Sequence, residues 1–382
     1  MDIDFTPEQD LLRDSVRRSC ERYCGLDEVR TLENDPVGYS TALWTQLAEL
    51  GVVGVTIPEE HGGSGMSMLD AVVIYEEFGR SLVPSPHFAS AILAAGLLSR
   101  SANTELAARL LPQIASGQTI VTVASMEPDA SFGPSGVTAS AVPDGHGFVV
   151  SGVKVHVPYA QAATSMVVIA RVGEGRDADG LVAVLVDTSA PGVTLEQQLT
   201  VASDAQFRVT LDGVRVDDGN VVHDGSHGWA AWHSTMLDGI TLLAAQAAGG
   251  ARATLDLAVA YANTREQFDK PLAAFQAISH YLSDAATAVD GAQTLAWEAA
   301  WANDHPADDA AHSSERLAPM AKAFACRTFR DVTATAVQIF GGNGFTVDFD
   351  VQLYFRRAKS LQLNNWNDRY LDDLIAAQVL DS

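Results

Sequence analysis

Gln338-Ile339-Phe340-Gly341-Gly342-Asn343-Gly344-Phe345 closes a stretch of helical periodicity running from 313 to 339, and the reading of the whole chain turns on it. Three glycines in four residues could cradle a phosphate, but a Rossmann-type dinucleotide fingerprint follows a strand and opens a helix. These glycines follow a helix, so by themselves they predict a helix-ending turn. Working back, 238 to 263 and 272 to 303 read as two more Ala-rich helices. The segments Arg265-Glu266-Gln267-Phe268 and Phe275-Gln276-Ala277-Ile278 lie at their junction.

Upstream of about Trp229 the periodicity is two. Ile120 to Ala124, Val137 to Val142, Gly147 to Val157, Ser165 to Val172, Leu181 to Asp187 and Phe207 to Val216 are short Val-rich runs separated by turn residues such as Pro143-Asp144-Gly145. They predict an antiparallel sheet packed as a small barrel or sandwich. The first third is helical again. Thr6-Pro7-Glu8-Gln9 is a capping-box start, and helices are expected around Trp44 to Leu50, Leu69 to Phe78, Ala89 to Leu98 and Glu105 to Ile114. Pro58 to Gly65 reads as a turn-rich loop. The order of helices, strands and helices lacks the alternation of a parallel α/β fold. The chain is mainly α with a middle β-domain, and it divides into 1–118, 119–226 and 227–382, a helical domain, a β-domain and a helical bundle.

Composition narrows the function. The chain has 382 residues with 24 Lys plus Arg against 48 Asp plus Glu, a net charge of −24. Such a surface repels phosphate backbones, so nucleic acids and anionic membranes are poor partners. The most apolar stretch, Ile240 to Ala262, is interrupted by Gln246, Arg252 and Asp256 and is too polar for an easy membrane span. The acidic start Met1-Asp2-Ile3-Asp4-Phe5 does not read as a signal peptide. Cys20, Cys24 and Cys326 form no Cys-x-x-Cys pair, which argues against disulfides and zinc and fits a reducing cytoplasm. Neither Gly62 to Met66 nor Gly133 to Val137 completes a Gly-x-Ser-x-Gly elbow. His223 and His227 flank Gly225 and Ser226, so a surface or turn role is expected for both rather than metal ligation.

The motifs become specific in series. Pro58-Glu59-x-x-Gly62-Gly63, Glu76-Glu77-Phe78-Gly79-Arg80 and Glu127-Pro128 precede the Arg265 and Phe275 segments and the Gly341 turn. In this order the chain resembles the acyl-CoA dehydrogenases over essentially its whole length. The resemblance implies a helical N-terminal domain, a middle β-domain and a C-terminal four-helix bundle through which subunits pair. FAD would lie across that pairing. Arg265, Phe268, Phe275, Gln276, Gln338, Gly341 and Gly342 would reach the ADP part of a flavin whose ring is held by the neighbouring subunit. A guanidinium is a fixed cation with forked donors suited to a pyrophosphate, and glycines let backbone approach closely. Read without the resemblance, Arg265 is a helix C-terminal cation, and Gln276 and Gln338 are helix-packing amides.

Departures from the family pattern carry as much information. The family's base is a Glu near the end of the chain, and in Arg356 to Asn367 its place falls on Asn365, with Trp366 where a Gly is usual. An amide cannot take a proton from carbon at neutral pH. A minority of the family carries the Glu on the first long C-terminal helix, and there the chain has Gly239, with Asp238 one residue and about 100° away. Asp348, Asp350 and Asp368 read as surface or capping residues. On the flavin-ring side the family's Thr-Glu-Pro, Gly-Ser-Asp and Trp-Ile-Thr are here Met126-Glu127-Pro128, Asp129-Ala130-Ser131 and His156-Val157-Pro158. No Glu occurs between Glu196 and Glu266 or after Glu315.

Motifs that serve a neighbour's flavin are therefore retained, while those for the chain's own ring site and base are replaced. The expectation is a subunit of a heteromeric FAD-dependent acyl-CoA dehydrogenase, two of each chain, whose related catalytic partner supplies the Glu. An electron-transfer flavoprotein would be its acceptor. Val157-Pro158-Tyr159-Ala160 resembles subunits of actinobacterial steroid catabolism and suggests a steroid side-chain CoA ester. The alternatives are a self-sufficient homotetrameric dehydrogenase with another base, a non-dehydrogenating thioester-binding protein on this fold, and a scaffolding protein.

Overall fold

The computed structural model describes residues 5–128, 132–225, 227–305 and 310–380, so Asp129-Ala130-Ser131, Ser226 and the first four residues lie outside it. The chain forms two compact units, one drawn from 1–29, 68–83 and 240–382, the other from 30–67 and 84–239.

The first unit is helical. Helix α1 (Pro7–Tyr23) begins at the expected capping box: the Gln9 amide N–H donates to Thr6 Oγ1 at 3.2 Å, and the Thr6 N–H donates to Gln9 Oε1 at 3.0 Å. It is tied to α4 (Met68–Arg80) by Arg17, whose fork reaches both oxygens of the buried Glu77 at 2.9 and 2.7 Å. Two-point contact to a desolvated carboxylate fixes geometry as well as charge. Trp297 Nε1 donates to Glu76 at 2.7 Å, and that carboxyl is driven up by burial against the pull of its donors. Trp297 belongs to α8 (Gln276–Asp304), which packs against α9 (Ser314–Phe340) and is followed by α10 (Val351–Leu363) and α11 (Asp368–Leu380). Where α4 meets α7 (Gly228–Thr264), a Cβ on Gly79 would fall 1.8 Å from the Gln246 carbonyl oxygen, so the two backbones touch.

The chain passes from the first unit to the second within α2 (Leu26–Thr31), and in the second α3 (Thr41–Glu49), α5 (Ala95–Ser99) and α6 (Thr104–Ala115) accompany an eight-stranded sheet. Its strands are β1 (Val121–Ala124), β2 (Ser140–Pro143), β3 (Gly147–Pro158), β4 (Ser165–Arg171), β5 (Leu181–Asp187), β6 (Val193–Gln198), β7 (Gln206–Asp217) and β8 (Val221–His223). The order is β6-β7-β3-β2-β4-β5-β8, with β1 also on β4. Its core gathers Val150, Val168, Val184, Phe207 and Val209.

Several expectations need correction. The sheet is not purely antiparallel: β1 and β2 both run parallel to β4, because each reaches it after an intervening crossover rather than a hairpin. β6 and β8 went unseen because β6 is a largely exposed edge strand and β8 spans only three residues. The helix expected over Ala89 to Leu98 opens as a π-helix, Phe88–Ala94, before continuing as α5. His223 is buried rather than superficial, with Nε2 2.9 Å from the Leu97 carbonyl oxygen, and burial lowers its pKa. His227 is exposed, as expected. Among the described residues no helix is long and apolar enough to cross a membrane.

Candidate functional site

The three motif segments that are distant in sequence converge in the first unit. Ala258 and Ala262 near the end of α7, Ala336, Ile339 and Phe340 at the end of α9, and Val351 share one buried cluster, against which Leu272 and Ile278 also pack. Tyr261 stacks on Phe340 with ring centroids 4.0 Å apart, and the Asn343 amide donates to the Tyr261 hydroxyl at 3.3 Å. The apolar cluster thereby sets the Arg265, Phe275 and Gly341 segments side by side.

Between α7 and α8 the chain makes a hairpin of β9 (Glu266–Gln267) and β10 (Lys270–Pro271), closed by the Leu272 N–H donating to the Arg265 carbonyl at 2.9 Å. Its two-residue turn is Phe268-Asp269, with φ of 54° and 63°. Such a turn needs left-handed backbone at both positions and favours Asn-Gly, so a phenylalanine there is strained. Phe268 is 85 % exposed, edge-on to Phe275 at 6.1 Å, while Lys270 Nζ sits 4.2 Å above the Phe275 ring. Sequence reading placed these residues but missed the hairpin, since Phe-Asp carries no turn signal.

The side chains of Arg265, Gln276 and Gln338 are exposed and make no hydrogen bond or ion pair with the described residues. Gly341 has φ 61° and ψ −133°, backbone that only glycine takes without strain. A Cβ built on Gly342 would meet nothing within 4 Å, so the fold itself does not demand glycine there. A cation, two amides, an exposed aromatic ring and bare backbone are the kinds of group that a dinucleotide's pyrophosphate and base call on. The readings of Gln276 and Gln338 as packing amides do not hold, because neither is buried.

Asn365 and Trp366 form the turn between α10 and α11, both with positive φ, 52° and 70°. Trp366 is buried against Tyr370, with centroids 5.3 Å apart. Beneath the turn Lys322 is fully buried, and its Nζ donates to the carbonyls of Trp366 at 2.8 Å, Asn364 at 3.0 Å and Leu361 at 3.4 Å. Sequence reading missed this lysine. Asn365 itself is half-buried and its side chain bonds to no described residue. Of the nearby acids, Asp368 is engaged by Gln362 at 2.7 Å and Arg327 at 3.2 Å, whereas Asp348 is exposed.

In the second unit, a Cβ on Gly239 would lie 3.0 Å from Leu93 and 3.2 Å from the Phe88 ring, both on the π-helix. A side chain at this position requires Leu93 or the Phe88 ring to give by a few tenths of an ångström. Asp238 is paired with Arg100 at 2.5 Å. Glu127 accepts from the backbone N–H groups of Thr138 and Ala139 and from the fully buried Lys154 at 2.6 Å. Burial raises its pKa, but the ammonium and the donors outweigh that and hold the carboxyl below its ordinary range. This carboxylate is structural glue, with its lone pairs already engaged. His156 lies on β3 beside Gln206 and Gln198. No group of metal-ligating side chains occurs among the described residues.

Residues 6–118, 122–214 and 226–380 match the family models of the acyl-CoA dehydrogenase N-terminal, middle and C-terminal domains. The chain is 30 % identical over 368 residues to acyl-CoA dehydrogenase FadE27 of Mycobacterium tuberculosis, covering 95 % of this chain and 94 % of that one. Among solved structures it is similar to the ChsE4-ChsE5 complex from Mycobacterium tuberculosis, at 26 % identity, TM-score 0.89 and full coverage of both chains. It is also similar to a variant of the Tcur3481-Tcur3483 steroid ACAD, at 28 % identity and TM-score 0.86 over 98 % of each chain.

Proposed function

This chain belongs to the acyl-CoA dehydrogenase family, with FAD as cofactor, and on that premise we propose that it is the subunit of a heteromeric enzyme that donates cofactor contacts but no base. One contrast supports the reading. Arg265, Gln276 and Gln338 stand exposed and without partners among the described residues, and the Gly341-Gly342 turn is bare, whereas the positions from which a carboxylate base would come hold Asn365 and Gly239.

FAD, when bound, supplies the acceptor for the hydride that leaves the acyl β-carbon. This chain's own residues bind and orient it. Arg265 neutralises and orients a pyrophosphate, the Gln276 and Gln338 amides donate to or accept from the same ligand, and Phe268 and Phe275 cover its apolar face. Gly342 admits the ligand against backbone. The Asn365 amide has no basic site for the α-proton, so the carboxylate must come from a related chain. Asp238 cannot substitute, being held by Arg100.

Two chains of each kind would then share the sites, and the structural similarity to two-component complexes accords with that. One of those neighbours is a steroid ACAD, and together with Val157-Pro158-Tyr159-Ala160 it favours a steroid side-chain CoA ester as substrate, an electron-transfer flavoprotein as acceptor and a cytoplasmic setting. The working domains are taken as 1–118, 119–226 and 227–382. The test is flavin content. Purified alone, the chain should hold little FAD and should not bleach with acyl-CoA. One FAD per chain, reduced by acyl-CoA without a partner, would overturn the reading in favour of a self-sufficient homotetramer.

A further inference from the structure

The Gly341-Gly342 backbone can serve a ligand only where something holds it in place. A Cβ on either glycine would meet nothing within 4 Å, so open space lies where side chains would be. Glycine backbone has many conformations open to it, and the pair cannot fix itself. Bonds within the turn set its shape. The Gly341 N–H ends α9 on the Val337 and Gln338 carbonyls, the Gly344 N–H donates to the Gly341 carbonyl at 2.9 Å, and Thr346 donates to the Asn343 carbonyl from its N–H at 3.3 Å and from Oγ1 at 3.0 Å. None of these bonds reaches α7, whose last residue Arg265 follows.

Placement against α7 comes from side chains, and the two residues that flank the glycine pair meet the same one. On the near side Phe340 is buried and stacks on Tyr261, with centroids 4.0 Å apart and planes 14° from parallel, while Phe349 meets it edge-on at 5.9 Å. On the far side the Asn343 side-chain amide donates to the Tyr261 hydroxyl at 3.3 Å. The Tyr261 backbone carbonyl in turn accepts the Arg265 N–H at 2.8 Å, and the Arg265 carbonyl accepts the Leu272 N–H at 2.9 Å. One residue of α7 thus touches both flanks of the glycine pair and the residue that carries the cation.

We propose that Tyr261 is a positioning residue: its ring and hydroxyl fix the Gly341-Gly342 backbone relative to Arg265, and cofactor binding depends on that hydroxyl without the hydroxyl touching the cofactor. The inference rests on the reading of these residues as a cofactor surface. It assigns separate work to two parts of one side chain. The ring contributes burial and stacking, and so bears on stability. The hydroxyl adds one neutral hydrogen bond at a part-buried site, too little to carry the fold. It is enough to restrict a glycine turn whose freedom would otherwise be lost at the moment of binding.

Tyr261→Phe keeps the ring and removes the hydroxyl. In the complex with the co-expressed partner subunit, flavin fluorescence titration should show FAD bound roughly three- to tenfold more weakly, the worth of one neutral hydrogen bond. The thermal midpoint should stay within about 1 °C of wild type. Hydrogen exchange of the full chain on its own should quicken in 341–346 and stay unchanged in α8. Asn343→Leu should weaken FAD to a similar extent, and the double variant should be no worse than either single one, since both remove the same bond. Arg265→Ala is the control for the surface itself. If Arg265→Ala weakens FAD and Tyr261→Phe does not, the positioning role falls while the cofactor surface stands. If neither changes FAD affinity, the cofactor surface falls and the positioning role with it. Additive losses in the double variant, or exchange that quickens throughout the unit as the midpoint drops, would make Tyr261 a structural residue and overturn the proposal.

Discussion

Lys322 shows how much one buried cation can organise. Its three carbonyl acceptors all lie in the segment 361–366, and two residues of that segment hold left-handed backbone that they would not adopt unaided. Lys322→Met keeps the stem but strands the buried Trp366 carbonyl and two part-buried ones, so unfolding free energy should fall by about 2 to 4 kcal/mol in urea titration. A loss under about 0.5 kcal/mol would show that water takes over the lysine's role. Asn365→Glu places a carboxylate on the same turn. If an amide at this position is what silences the chain's own site, the variant in complex with its partner should gain dehydrogenation in the second site, and unchanged turnover would argue that the ring site is also inoperative. His87 bears on pH. It is fully buried, donating to the Val52 carbonyl at 2.9 Å, and burial lowers its pKa from 6.5 to about 4. The unfolded chain takes up a proton that the folded chain refuses, so this stability is complete above pH 6.5 and is lost as pH falls towards 4. The loss amounts to about 3 kcal/mol. Denaturation of His87→Gln at about pH 7 and about pH 4.5 should show a shallower acid dependence than wild type; equal slopes would contradict the assignment.

At the scale of elements, legibility followed burial. The capping box of α1 and the long helices α7, α8 and α9 could be read from the sequence because each is set by local side chains or by an extended apolar stripe. Strands β6 and β8 could not, one because it is an exposed edge and the other because it is three residues long. The β9–β10 hairpin was hidden for a different reason. Its turn residues, Phe268 and Asp269, oppose the local preference, which is what a site under functional constraint does. Replacing the pair by Asn-Gly should therefore stabilise the hairpin while removing the exposed ring, and FAD content of the assembled enzyme should drop as thermal stability rises slightly. Retained FAD content would show that Phe268 has no part in binding. The π-helix is the other case: its sequence reads as ordinary helix, yet Phe88 and Leu93 end up against Gly239 and crowd a position where the resemblance would allow a glutamate. Nothing in periodicity distinguishes that register.

For the whole molecule, an excess of acid suggests abundant carboxylates wherever chemistry needs one. The structure places the described buried acids elsewhere: Glu76, Glu77 and Glu127 are engaged by arginines, a tryptophan or a lysine. Meanwhile Arg265, Gln276 and Gln338 are exposed and unpaired among the described residues of the first unit. The family and the three-part fold were legible in the order of motifs, and the motifs also named the residues proposed for the cofactor surface. Its apolar foundation and the lysine under the 365 turn were not, because they arise from contacts between residues that carry no motif. The assignment on which all else depends is that the Arg265 surface serves a flavin held by a related subunit. FAD per complex, measured after co-expression with that subunit for wild type and for Arg265→Ala, tests it most directly. About one FAD for every two chains is expected in the wild-type complex, and at least a roughly tenfold weaker hold on FAD in the variant, with the complex still assembled. Full occupancy of every chain, or a variant that retains FAD as tightly as wild type, would contradict it.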